Sequence, residues 1–78
     1  MAADSIRARL EDAFPGAEVA VLDRTGGGDH FQVSVTSGRF DGLPLIDQHR
    51  LVNAALEALL ADGTIHELRI QTKGTATA

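Results

Sequence analysis

The sequence predicts one small α/β domain of the α+β kind, with element order α-β-β-α-β and a three-stranded mixed sheet covered by helices on one face. Three observations predict it. Residues 17–23 and 30–37 are short runs rich in β-branched residues, separated by a glycine-rich loop, which is the pattern of a hairpin. A helical repeat at residues 48–63 then separates the second run from a third at 66–71, so the last two strands are joined by a crossover and run parallel. Three strands have too little apolar area to fold uncovered, so both helices must lie on the same side of the sheet.

Each element has its own signals. Asp4 or Ser5 can cap a first helix, in which Ile6, Leu10 and Ala13 or Phe14 recur at helical spacing before Pro15-Gly16 stops it. "AEVAVLD" is the first strand and "RTGGGD" the loop after it, because three consecutive glycines carry little helix or strand propensity. In "HFQVSVTS", Phe31, Val33 and Val35 face one side, while His30, Gln32, Ser34 and Thr36 face the other. "GRFDGLPLID" is an irregular connection punctuated by Gly42 and Pro44. Asp47 can cap the second helix, whose two adjacent ridges are Leu51, Ala55, Leu59 and Val52, Leu56, Leu60, with Gly63 at its end. In the last strand, His66, Leu68 and Ile70 are expected to look inward, and Glu67, Arg69 and Gln71 outward. The domain is expected to span residues 1–74, with residues 75–78 a frayed tail.

Composition narrows the function classes. The chain has 78 residues and no cysteine, so disulfides and thiolate metal sites built from this chain alone are excluded. No run approaches the ~18 apolar residues of a membrane span and the start lacks an apolar signal core, so a soluble, cytoplasmic protein is expected. A net charge of −4 argues against strong nonspecific nucleic-acid binding. Through Ser37 there are three Arg against six acids, and from Gly38 onward four basic residues against five acids. Arg39, Arg50, Arg69 and Lys73 therefore read either as a local basic patch or as scattered solubilising charge.

The chemistry-bearing motifs are few. The glycine run lacks the Lys-Ser/Thr of a phosphate-binding loop and leads into a strand where that motif needs a helix N-terminus. No nucleophilic triad or dyad can be assembled, and a chain this short seldom builds a deep cleft, so an enzyme is not expected. Three histidines remain. His30 opens the second strand on its polar face. His49, in the first turn of the second helix, borders the core as a structural residue. His66 stands at the mouth of the last strand, where one nitrogen can point outward as a metal ligand while the protein holds the other, or where the ring simply packs.

"DHFQVSVTSGRFDGLPLIDQHRLVNAALEAL" followed by "GTIHELRIQTKG" resembles the BolA family. The pattern is a His-Phe strand opening, a Phe-x-Gly turn, a helix start of the form "RHRLVN", a Gly-containing turn, and Ile-His-Ala-Leu in the last strand. It covers about residues 29–74. The resemblance implies a fold similar to the class II KH fold and a partnership with monothiol glutaredoxins of the CGFS type. Such a pair shares a bridging 2Fe–2S cluster in iron–sulfur trafficking, assembly or iron-status regulation. It implies that His66 is a cluster ligand, that the glutaredoxin supplies its active-site Cys with a glutathione thiol, and that the isolated chain holds no cluster. Relatives commonly offer a second ligand, Cys or His, from the loop between the first two strands. "DRTGGGD" has neither, so either His30 serves, directly or brought round by the glycine loop, or this chain donates one ligand only. Two imidazoles in place of thiolates imply a Rieske-like setting with a raised reduction potential. Glu67 replaces the family's usual Ala and is expected to point away from His66.

The resemblance also carries an alternative, a KH-like DNA-binding transcriptional regulator. The GXXG loop that a KH domain places between helices is replaced here by "GGGD" between strands, and three Phe are the only aromatic residues, so base stacking has few candidates. Arg39, Arg50, Arg69 and Lys73 are the residues that would meet nucleic acid, or acidic groups on a glutaredoxin. A homodimer is left open, and no membrane partner is expected.

Overall fold

The computed structural model describes residues 2–24, 26–27 and 30–75. Helix α1 (Ala2–Ala13) leads into strands β1 (Glu18–Asp23) and β2 (His30–Thr36). A single 3₁₀ turn at Gly38–Phe40 precedes helices α2 (Leu45–Ala55) and α3 (Glu57–Ala61), and strand β3 (Glu67–Lys73) closes the order. The sheet runs β1-β2-β3, with β1 antiparallel and β3 parallel to the central β2, as the crossover requires. Thr25, Gly28 and Asp29 of the glycine loop, and residues 76–78 of the tail, lie outside the described residues.

The register explains the core. Val19 pairs with Val35 and Val21 with Val33 on one side of β2, and Phe31 pairs with Leu68 and Val33 with Ile70 on the other. These residues share a face. Phe31, Val33 and Val35 are fully buried there with Ile6 and Leu10 of α1, Phe14, Phe40, Val52 of α2 and Leu56. The opposite face carries Glu18, Ala20, Leu22, His30, Gln32, Ser34, Glu67, Arg69, Gln71 and Lys73 and has no helix over it among the described residues. A side-chain bond from Ser34 Oγ to Gln71 Oε1 (3.2 Å) crosses it.

Several boundaries differ from the sequence expectation. The first helix starts at Ala2, so Asp4 sits in its first turn, where a carboxylate complements the helix dipole, and neither Asp4 nor Ser5 is the cap. The second helix starts at Leu45 and not after Asp47. Pro44 is its N-cap, and the Pro44 carbonyl accepts from Asp47 N–H (3.0 Å) and Gln48 N–H (3.1 Å). That helix also breaks at Leu56, whose φ/ψ of −105°/8° lies in the bridge region. Its N–H is shared between the carbonyls of Val52 (3.1 Å) and Asn53 (3.2 Å), the tightening common where a helix turns 3₁₀. Val52, Leu56 and Leu59 are buried, one i, i+4, i+7 row drawn from both predicted ridges.

The largest correction concerns His66. β3 begins at Glu67, and the chain bends at His66, which is exposed. It does not head the inward row. Ile65 takes the buried place instead, at 2% exposure, and its N–H donates to the Leu59 carbonyl (3.1 Å). Leu68 and Ile70 keep the inward parity as expected.

Two polar tethers fix the connections. Gln48 Nε2 donates to the Leu43 carbonyl (2.8 Å), and its Oε1 accepts from Thr72 Oγ1 (2.6 Å), so one side chain ties the turn before α2 to β3. Asp41 accepts from Thr75 N–H (2.8 Å) and Thr75 Oγ1 (3.2 Å), joining the Phe-x-Gly turn to the end of β3. Gly74 is what admits that carboxylate, because a Cβ there would collide with Asp41 Oδ1. Gly74→Ala is therefore expected to evict Asp41 and destabilise the fold by about 1–2 kcal/mol in urea unfolding. Adding Asp41→Ala should cost less than the sum of the two, since both remove the same bonds.

The turn that delivers His66 is held by Asp62, whose Oδ1 accepts from Thr64 N–H (2.8 Å) after Gly63 adopts φ +83°. Hydrogen bonds from the Thr64 side chain and backbone hold the Asp62 carboxyl below its ordinary value. A depressed folded-state value stabilises the turn above the unfolded carboxylate value, and that contribution is lost as pH falls through the folded one. Proton titration followed at the Thr64 amide should show its midpoint below that of an unstructured Asp. Asp62→Asn should remove the acid-side loosening of this turn.

Candidate functional site

The parallel pairing of β2 with β3 sets His30 opposite Glu67, one residue beyond the exposed His66. The two histidines assigned to metal binding thus come to the same end of the sheet from strands 30 residues apart in sequence, through register alone. His30 is half-buried at the first position of β2.

Glu67 organises this end. Its Oε2 lies 3.6 Å from His30 Nδ1, its Oε1 accepts from Arg24 at 3.2 Å, and Arg69 Nε approaches to 3.9 Å. A carboxylate beside one ring nitrogen orients an imidazole and raises its basicity as a ligand, the arrangement common behind metal-bound histidines. The sequence reading treated Glu67 only as a departure from a family pattern and missed this role. The sequence carried no signal for it: with the last strand read from His66, aligning the first residues of the two parallel strands sets His66, and not Glu67, against His30.

The four basic residues do not form one patch. Arg39 donates to the Ala13 carbonyl at the end of α1, and its guanidinium carbon lies 5.3 Å from the centre of the Phe14 ring. That is a structural post, favoured because a cation complements a helix C-terminus. Arg50 stands on α2 near Asp47 (3.9 Å). Arg69 and Lys73 alone share a surface, the uncovered sheet face. His49 is half-buried on α2 and lines a groove of about 530 Å³ with Leu45, Ile70 and Thr72, in keeping with a residue bordering the core.

Among the described residues, no group of three or more His, Cys, Asp or Glu could hold a metal ion. Two imidazoles at the head of the sheet are a partial donor set. They fit a metal group whose remaining ligands come from another molecule, and do not by themselves enclose one.

The BolA-like protein family profile matches residues 10–77. The chain belongs to the BolA family. This BolA chain is 42% identical over 80 residues to BolA-like protein 1 of Bos taurus, covering 92% of this chain and 58% of the bovine protein. It therefore spans little more than half the length of that relative. It is 38% identical over 82 residues to the DNA-binding transcriptional regulator BolA of Vibrio cholerae, covering 96% of this chain and 76% of the other. Among solved structures it is similar to BolA1 from Arabidopsis thaliana, with a TM-score of 0.88 and 28% identity over 100% of this chain and 96% of that one. The BolA domain of SufE1 from the same plant gives 0.84 and 30% over 94% and 91%. The predicted α+β fold and family are thus established. No helix among the described residues of the BolA chain is long and apolar enough to cross a membrane.

Proposed function

We propose that the head of β2 and β3 is a metal-sharing surface. In this reading the chain contributes His66 and His30 to a 2Fe–2S cluster bridged to a CGFS-type monothiol glutaredoxin, which contributes its Cys and a glutathione thiol. The observation that carries it is the register setting His30 against Glu67, beside the exposed His66. The chain's own residues do three things. His66 presents an imidazole from a bend that Asp62 and Gly63 fix in place. Glu67 orients His30 by its Nδ1 side. Arg24 (3.2 Å) and Arg69 (3.9 Å) approach the other carboxylate oxygen of Glu67. The 2Fe–2S group, when shared, would supply one-electron redox chemistry or be cargo for transfer. The chain acts as a binding partner and not as a catalyst.

The test is anaerobic mixing of the purified chain with a cluster-loaded CGFS glutaredoxin, followed by visible absorption and circular dichroism. A change in the cluster bands with formation of a one-to-one complex is expected. Unchanged bands with no complex overturn the reading. A second reading, DNA binding, is favoured by the name of the Vibrio relative at 38% identity. It predicts retention on duplex DNA at physiological salt, with a salt slope that falls when Arg69 or Lys73 is removed.

A further inference from the structure

β3 is an edge strand, and one backbone hydrogen bond fixes which of its peptide groups face the edge. Ser37 N–H donates to the Lys73 carbonyl (3.0 Å), so Lys73 turns its backbone toward β2. Backbone groups alternate along a strand. Glu67, Arg69 and Gln71 therefore turn theirs inward too, and Leu68, Ile70 and Thr72 present N–H and C=O to the edge. The strand has seven residues, no proline and no bulge, so none of the common devices that blunt an edge is built into its backbone. Beside it runs the groove lined by Leu45, His49, Ile70 and Thr72, and Leu45 is 61% exposed.

We propose that a second copy of this chain pairs antiparallel with β3, about a two-fold axis through Ile70, to make a continuous six-stranded sheet. The register follows from symmetry and charge. A two-fold axis perpendicular to the sheet keeps both helix layers on one face and sets one residue opposite its own copy. Centring on Ile70 uses the full length from Glu67 to Lys73. It sets Ile70 against Ile70 and Leu68 against Thr72 as hydrogen-bonded pairs, each made by the edge-facing peptides. On the uncovered face it sets Glu67 against Lys73 at both ends and Arg69 against Gln71. Centring on Arg69 would oppose Arg69 to itself, and centring on Gln71 would oppose Arg69 to Lys73, both like-charge pairs. Centring on Leu68 or Thr72 keeps the peptide phase but shortens the ladder. The second copy also covers the groove beside Leu45. This surface is separate from the metal-sharing proposal except at Glu67, and either can fail without the other.

Sedimentation of the full chain from micromolar to millimolar concentration tests it. A concentration-dependent dimer is expected. Lys73→Glu and Glu67→Lys should each raise its dissociation constant about tenfold or more, because each sets two like-charge pairs across the axis. An equimolar mixture of the two variants should dimerise again, since every pair is then opposite in sign. That restoration also shows that neither variant is misfolded. In unmodified protein, hydrogen exchange at the Leu68, Ile70 and Thr72 amides should slow with concentration, while Gln71 and Lys73 stay constant. A monomer throughout, a dimer insensitive to both variants, or concentration-dependent protection elsewhere overturns the proposal.

Discussion

Phe40→Ala is expected to destabilise the domain by about 3–5 kcal/mol, the usual loss for truncating a buried aromatic. Phe40 is 1% exposed, and its ring centre lies 5.1 Å from that of Phe14 at a tilt of 53°. The pair closes the end of the core where α1 stops and the turn after β2 begins. A domain of this size has a net stability of roughly 4–12 kcal/mol at typical per-residue values. The loss therefore takes about a quarter or more of the total, and at the lower end of that range it unfolds the domain. Three effects add: lost transfer energy, the cavity, and the lost tilted ring contact. Phe40→Leu keeps most of the volume and should cost less than about 1.5 kcal/mol. Arg39→Ala leaves the ring pair intact and removes only the cation over Phe14 and the α1 cap, so it should cost about 1 kcal/mol. Urea unfolding of the three variants checks the order. If Phe40→Ala falls no further than Arg39→Ala, Phe14 and Phe40 do not close the core as described.

Most of the fold is legible in the sequence because its information is periodic. Phe31, Val33 and Val35 alternate strictly, and all three are buried. Ile6 and Leu10 lie one helical turn apart, and both are buried. What periodicity does not encode is where a repeat breaks. The pattern in the second helix runs on through Leu56, and Val52, Leu56 and Leu59 keep the i, i+4, i+7 spacing of one helix face across the break. No residue type announces that break. The same limit moved His66. Its parity matches Leu68 and Ile70, so alternation assigns it inward. Yet among the described residues β2 begins at His30, which pairs with Glu67, and β3 has no strand partner before that residue. Pairing ends where the neighbour begins, and the chain turns out at His66. The candidate site was legible in its histidines and illegible in its carboxylate, because Glu67 acquires its meaning only from the strand beside it.

His66→Ala is expected to abolish the spectral change on mixing with a cluster-loaded CGFS glutaredoxin while leaving stability within about 0.5 kcal/mol of the parent, as for an ordinary surface substitution. The structure makes this separation possible. Ile65 holds the buried position and the neighbouring imidazole is exposed, so His66 is not part of the buried core. A structural His66 would have forced the two effects together. His66→Cys offers a thiolate, the softer ligand, and should keep the complex while lowering the reduction potential and shifting the bands. Glu67→Gln keeps both imidazoles but removes the charge beside His30 Nδ1, and should weaken the complex about 10–100-fold, as other losses of an orienting partner do. His30→Ala separates the second ligand from the first. If it matches His66→Ala, both imidazoles are ligands. If it has no more effect than Glu67→Gln, His30 serves only to position its neighbours and the partner completes the site. Full spectral response in His66→Ala would remove His66 from the coordination sphere and leave His30 as this chain's one proposed ligand.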